Sequence, residues 1–352
     1  MDGGGKFAAR LVMEGLLEES TARAVLAKQA ELRTRGHELG VADICLRKSW
    51  ITVGEAALLL EDNAPEKLLP GLLLGAQIAR GGMGRVLRAR DMQTRGDVAV
   101  KILHPRLARD ARSVAEFRAE SELLCKLEHP GLVKGYYLHE HEGLIYLVME
   151  HFPGRSAQEE LDQRGRFQEE KALSVIVQVA RALGHMHLHG VLHRDVKPAN
   201  ILLDTQGRVK LCDLGLAVKL VDHSAGETTA GTRAYIAPEQ ATGSGLDPRA
   251  DIYALGASLY HLVVGRLPFE GPTDDESMAR RLLDELRSPE LKALGISQRM
   301  HYFIQKMMAL EREVRYADTA ALVEDIGAQT GIGTAKPPTP KSDPRLRRTR
   351  GP

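Results

Sequence analysis

The sequence predicts an α+β chain with two unequal lobes behind a small all-α module, and three observations lead there. Strand-like apolar runs come first in the main part of the chain, at Asp97–Leu103 and Leu144–Met149. Helical periodicity follows, at Glu169–His189 and Asp251–Val264. Ahead of both, residues 1–68 place Leu11, Val12, Leu16, Val25 and Leu26 at the spacing of one buried helical face.

In the first module, Thr52 followed by Glu55 is a capping box opening a helix over Val53–Glu61, and Ser20 is the expected cap of a helix beginning near Thr21. Pro65 and Pro70 break the pattern. The segments starting at Gly15 and Ser49 form a degenerate repeat, each setting an apolar pair before a helix start. Residues 1–68 therefore read as a helical module, either a docking or sensing element for a partner or a structural cap. The main domain is expected over residues 72–333. The tail, 334–352, is proline-rich and basic against the single acid Asp343, and is expected to be disordered, a solvated linker or a contact for an acidic partner.

The 352 residues are 43% hydrophobic and 27% charged, enough for one large or two modest cores. Lys and Arg number 48 against 47 Asp and Glu, so no overall field favours nucleic acid or an anionic membrane. The start has no basic-then-apolar signal pattern, and the most apolar stretch, Ala254–Val264, is interrupted by Tyr260 and His261, so no membrane span is expected. Cys45, Cys125 and Cys212 are far apart, which suggests neither a zinc site nor a disulfide framework and fits a reducing cytoplasm.

Four features carry chemistry. Ile78–Val86 is a glycine-rich turn whose bare N–H groups can approach phosphate oxygens, though an ordinary hairpin turn reads the same way. Lys101 lies in an apolar strand, where a buried ammonium needs an anionic partner. Glu120, on a helix expected over Ser113–Leu127, is the candidate, because Glu122 turns to the opposite face. The strongest feature is His193-Arg-Asp-Val-Lys-Pro-Ala-Asn200, followed by Asp213-Leu-Gly215. A carboxylate, a cation and an amide on one loop, with a second carboxylate after it, are what phosphoryl transfer requires. Asp195 would orient a hydroxyl nucleophile, Lys197 would neutralise the transferred phosphoryl, and Asn200 and Asp213 are hard oxygen ligands suited to magnesium.

Together these residues resemble the eukaryotic-type protein kinase family, in its bacterial serine/threonine branch, over about Leu72–Gly327. The resemblance implies the bilobal protein kinase fold, with a small β-rich lobe and a large helical one. It implies ATP and Mg2+ as cofactors, with Mn2+ a possible substitute, and protein substrates with Ser or Thr acceptors. It assigns Lys101 to the α- and β-phosphates with Glu120 as its partner, Asp195 as catalytic base, and Asn200 and Asp213 to the metal. The nucleotide would further meet Ala79, Gly81, Gly82 and Gly84, with Ile78, Val86, Ala99 and Leu202 at the adenine, Met149 as gatekeeper and Glu150 and Phe152 at the hinge, although core packing also accounts for each apolar residue. Ala237-Pro-Glu239 would close the activation segment, with Arg315 as the buried partner of Glu239 and Asp251 anchoring the catalytic loop. Lys197 and Gly231-Thr232 ahead of Tyr235 imply serine/threonine rather than tyrosine as acceptor. Arg194 beside Asp195 implies ordering by phosphorylation, with Thr228, Thr229 and then Ser224 as candidate sites, or else plain polar loop residues.

The chain departs from the family at Ala79, where the first glycine usually stands, at the added Gly82, and at Leu214 in place of phenylalanine, which touches regulation more than chemistry. Cys212 is expected to be a small buried filler. An active kinase is the first reading and a pseudokinase-like scaffold that binds ATP and partners the alternative. A homodimer is an open possibility.

Overall fold

The computed structural model describes residues 3–35, 37, 39–59, 69–214, 218–219, 233–242, 245–268 and 294–333. They fall into two compact units, one drawn from Met1–Lys126 and Lys134–His151, the other from Leu127–Val133 and Phe152–Lys341. Ser224, Thr228, Thr229, Thr232 and the tail lie outside the described residues.

The first unit begins with α1 (Gly3–Met13), α2 (Glu19–Thr34), α3 (Val41–Arg47) and α4 (Val53–Leu59). Their apolar faces meet in a core of Phe7, Leu11, Leu16, Val25, Val41, Cys45 and Ile51. The Thr52–Glu55 capping box forms: the Glu55 N–H donates to Thr52 Oγ1 at 3.1 Å and the Thr52 N–H to Glu55 Oε2 at 2.7 Å. Ser20, by contrast, is not a cap. The helix starts two positions earlier, at Glu19, with Glu18 at the N-cap and no side-chain cap bond, because α1 ends at Met13 and the chain, reversed through left-handed Gly15, enters α2 before Ser20 is reached. The pairs Leu16-Leu17 and Trp50-Ile51 do precede α2 and α4.

An antiparallel sheet follows, in the order β1-β2-β3-β5-β4: β1 (Leu72–Gly81), β2 (Gly84–Asp91), β3 (Asp97–Leu103), β4 (Gly135–His141) and β5 (Leu144–Glu150). Its core alternates along the strands, with Leu72, Leu74, Ala89, Val98, Val100, Ile102, Leu144, Tyr146 and Val148 on one face. Helix α5 (Ala111–Lys126) packs against β4.

The second unit is mainly helical: α6 (Ala157–Arg164), α7 (Glu169–Leu188), α8 (Pro238–Thr242), α9 (Arg249–Val264), α10 (Gln298–Met307) and α11 (Thr319–Thr330). Short strands accompany them, with β6 (Arg155–Ser156), β8 (Ile201–Leu203) and β9 (Val209–Leu211) in one sheet and β7 (Val191–Leu192) paired with β10 (Val218–Lys219). Every residue of α9 from Ala250 to Val264 is buried, so this helix is the axis on which α7 and α10 pack. Among the described residues no helix is long and apolar enough to cross a membrane. This α+β division, strands first and helices after, is the fold class the sequence predicts.

Candidate active site

In the first unit, Ile78–Val86 forms the tip of the β1–β2 hairpin, with Gly81 opposite Gly84. A Cβ on Gly81 or Gly82 would meet nothing within 4 Å, so protein packing does not demand glycine there. What it leaves is open main chain, the cradle an anionic ligand needs. Gly84 is different: a Cβ would lie 2.0 Å from the Ile102 carbonyl oxygen, so only glycine lets β2 run this close to β3.

Lys101 occupies β3, opposite Val86 on one side and Leu147 on the other. Its Nζ lies 2.7 Å from Glu120 Oε1, with the two side chains 13% and 4% exposed, so the buried ammonium is matched by a buried carboxylate. Glu122 points to the outer face of α5, where it meets Lys126. Around them Ala99 is buried, Val86 and Met149 half-buried, Glu150 half-buried at the end of β5, and Ile78 exposed. Ala79 pairs with Val86 in the hairpin.

In the second unit, the loop after β7 carries His193, Arg194 and Asp195, all buried. Asp251, wholly buried on α9, receives the main-chain N–H groups of His193 at 2.9 Å and Arg194 at 2.8 Å, and His187 Nε2 at 2.8 Å. Burial pushes its carboxyl upward, but the bond and charge of His187, with the nearby His193, prevail and hold it below the ordinary carboxylate range. His193 is kept from protonating chiefly by burial; its Nδ1 accepts from the Asp195 N–H at 3.2 Å.

Asp195 itself is held on one side only. Its Oδ2 accepts from Asn200 Nδ2 at 3.0 Å and lies 2.7 Å from Lys197 Nζ. Asn200 Nδ2 also donates to the Asp195 carbonyl at 2.8 Å. Asp195 Oδ1 is buried and has no hydrogen-bond partner among the described residues. Asp213, exposed, takes a left-handed backbone at φ 63°, and Arg194 one at φ 64°. Such positions cost on the order of 1–3 kcal/mol for a non-glycine residue and collect at functional sites. Cys212 is half-buried rather than a buried filler, and its thiol donates to the Asn200 main-chain carbonyl at 3.3 Å. Leu214 is buried; Phe152 is buried and Leu202 half-buried in this same unit.

The family profile described as "Protein kinase domain" matches residues 73–325. The chain belongs to the protein kinase family. Serine/threonine-protein kinase PknB of Mycobacterium tuberculosis is 34% identical to it over 272 residues, covering 75% of this chain and 44% of PknB. Serine/threonine-protein kinase PrkC of Bacillus subtilis is 34% identical over 251 residues, 71% of this chain and 39% of PrkC. The chain thus spans less than half the length of these curated relatives.

Within the kinase domain, Glu239 on α8 and Arg315 form a buried two-pronged pair, Nη1 to Oε1 at 2.6 Å and Nη2 to Oε2 at 2.9 Å. The sequence alone did not disclose three supports of the His193–Asn200 loop: His187 on Asp251, Gln240 Nε2 on the Arg194 carbonyl at 3.0 Å, and Ser258 on the Val196 carbonyl at 3.3 Å. The signal for His187 was present, since it lies in the last turn of the amphipathic α7, six positions before His193. Ser258 has no such mark, being one small residue inside an all-buried helix.

Proposed function

We propose that this chain transfers the γ-phosphoryl group of ATP to serine and threonine hydroxyls of proteins, possible sites on itself included. The observation that carries this reading is the half-held carboxylate of Asp195. Asn200 and Lys197 fix one oxygen, which leaves the other buried and without a partner among the described residues. A substrate hydroxyl donating to Oδ1 is oriented for in-line attack. As its oxygen bonds to the γ-phosphorus, the bond to the bridging oxygen of ADP breaks and the hydroxyl proton passes to Asp195.

Lys101, fixed by Glu120, is assigned to the nucleotide phosphates, and the open main chain at Gly81 and Gly82 to phosphate oxygens. Ala79 and Gly84 complete that turn. Ile78, Val86, Ala99, Met149, Glu150, Phe152 and Leu202 are assigned to the adenine and ribose end. Magnesium fits the oxygens present: the Asn200 amide nitrogen is spent on Asp195, which frees its carbonyl oxygen as a ligand, and Asp213 adds a carboxylate. Two protein oxygens suit a metal that keeps waters and phosphate ligands. When bound, the metal neutralises charge developing on the phosphate oxygens. Lys197 adds a cation beside the transferred group.

Incubating the chain with labelled ATP, magnesium and a generic acceptor protein tests the reading. Phosphoserine and phosphothreonine are expected on hydrolysis of the product. Label on tyrosine alone would remove the acceptor assignment, and ATP binding without transfer would turn the reading toward a scaffold.

A further inference from the structure

A carboxylate of the amino-terminal module, Glu14, touches the glycine-rich hairpin. Glu14 follows directly on α1, its N–H still bonded to the Arg10 carbonyl at 2.9 Å, and left-handed Gly15 ends the helix behind it. A carboxylate at a helix C-terminus faces the negative end of the helix dipole, and Glu14 is also buried, 8% exposed. Both circumstances are unfavourable unless cations or donors meet it.

Two do, one from the hairpin and one from just beyond β3. Arg80, within the glycine-rich segment of β1, donates from Nη2 to Glu14 Oε1 at 3.0 Å. His104, just past β3, places Nε2 at 2.5 Å from Glu14 Oε2. His104 Nδ1 accepts from the Arg106 N–H at 3.3 Å, so the ring hydrogen resides on Nε2 and donates to Glu14. The His104 N–H, in turn, donates to the Met83 carbonyl at 2.8 Å, at the very tip of the turn. Glu14 therefore grips the turn twice, through the side chain of its β1 limb and through the residue whose main chain holds its tip. The arm of Arg106 covers Gly15, where a Cβ would come within 3.0 Å of Arg106 Cδ.

The same module has a second anchor. Arg109, in the short turn before α5, donates to Glu55 at 3.0 and 3.1 Å and to the Trp50 carbonyl at 2.9 Å. This holds α4 on the segment between β3 and α5, so that Glu14 is delivered by a docked module rather than by a loose arm.

We infer that Glu14 is a positioning residue for nucleotide binding, acting through Arg80 and His104 to fix the glycine-rich turn, and that the amino-terminal module thereby sets ATP affinity. The inference rests on the reading of residues 78–86 as the phosphate-binding turn. A module that merely capped the sheet would contribute stability and leave affinity alone.

The test is equilibrium binding of ATP with magnesium, by calorimetry on the full chain, for the parent, Glu14→Ala, Arg80→Met and the double variant, with thermal midpoints recorded beside each. Glu14→Gln, of the same size but uncharged, serves where truncation unfolds the chain. Glu14→Ala is expected to weaken binding about fivefold to tenfold, and the double variant to fall short of the product of the two single effects, because the residues act as one unit. Unchanged affinity in the Glu14 variants, with or without a lowered midpoint, would overturn the inference, as would strictly multiplicative effects. A parent chain that binds no ATP would remove the reading of the turn itself and this inference with it.

Discussion

Asp195→Asn is expected to lower the turnover rate about 10²- to 10⁴-fold while leaving ATP affinity nearly unchanged. That corresponds to roughly 3–5 kcal/mol of transition-state stabilisation. The substitution keeps size and shape, and its carbonyl oxygen can still accept from Asn200 and Lys197 as Oδ2 does now. The difference falls on the other atom. Where Oδ1 is buried with no partner among the described residues, the variant presents an amide N–H2, which donates and cannot take up a proton. Single-turnover phosphorylation of an acceptor, measured beside ATP binding, separates the two effects. A loss of ATP binding as large as the loss of rate would mean that Asp195 shapes the loop instead of serving the hydroxyl.

Arg315→Met should be the most destabilising change outside the chemistry. The guanidinium is fully buried and every one of its donors is used: two on Glu239, the others on the carbonyls of Ala309, Arg249 and Leu310. Removing it leaves a buried carboxylate and three carbonyls without that cation, which costs about 3–5 kcal/mol. In a unit of this size the midpoint should fall by roughly 10 °C. Arg315→Lys should recover little, since an ammonium cannot reproduce a planar two-pronged grip. Adding Glu239→Gln to Arg315→Met should restore part of the loss, because the unpaired charge is then gone. Thermal unfolding of the four chains measures this, and equal midpoints for parent and Arg315→Met would discount the pair.

What could be read from the sequence was what is local or periodic. His193 to Asn200 lie on one loop, so their association needs no knowledge of the fold. Lys101 and Glu120 are far enough apart to need it, yet helical geometry alone chose Glu120 over Glu122, and the 2.7 Å contact agrees. Partners joined only by tertiary packing were legible where the family resemblance supplied them, as for Glu239 and Arg315, and not otherwise: Glu14 and Arg80 are 66 positions apart, His187 and Asp251 64. No periodicity or spacing links such pairs, because what brings them together is the burial of apolar faces elsewhere, in the helical core around Leu11 and along α9. The Ser20 cap failed for a related reason. A good capping residue was present, but the turn at Gly15 had already determined where α2 begins.

Asp251 has one more consequence. The segment from His193 to Asp195 belongs to no helix or strand, and loop amides ordinarily exchange with solvent through small local openings. Here two successive amides are tied to a carboxylate on a helix with no exposed residue from Ala250 to Val264, so neither can open unless α9 gives way. In deuterated water the N–H groups of His193 and Arg194 should therefore be retained as long as those of the helix interior, an island of slow exchange in irregular backbone. The loop borrows the lifetime of the core.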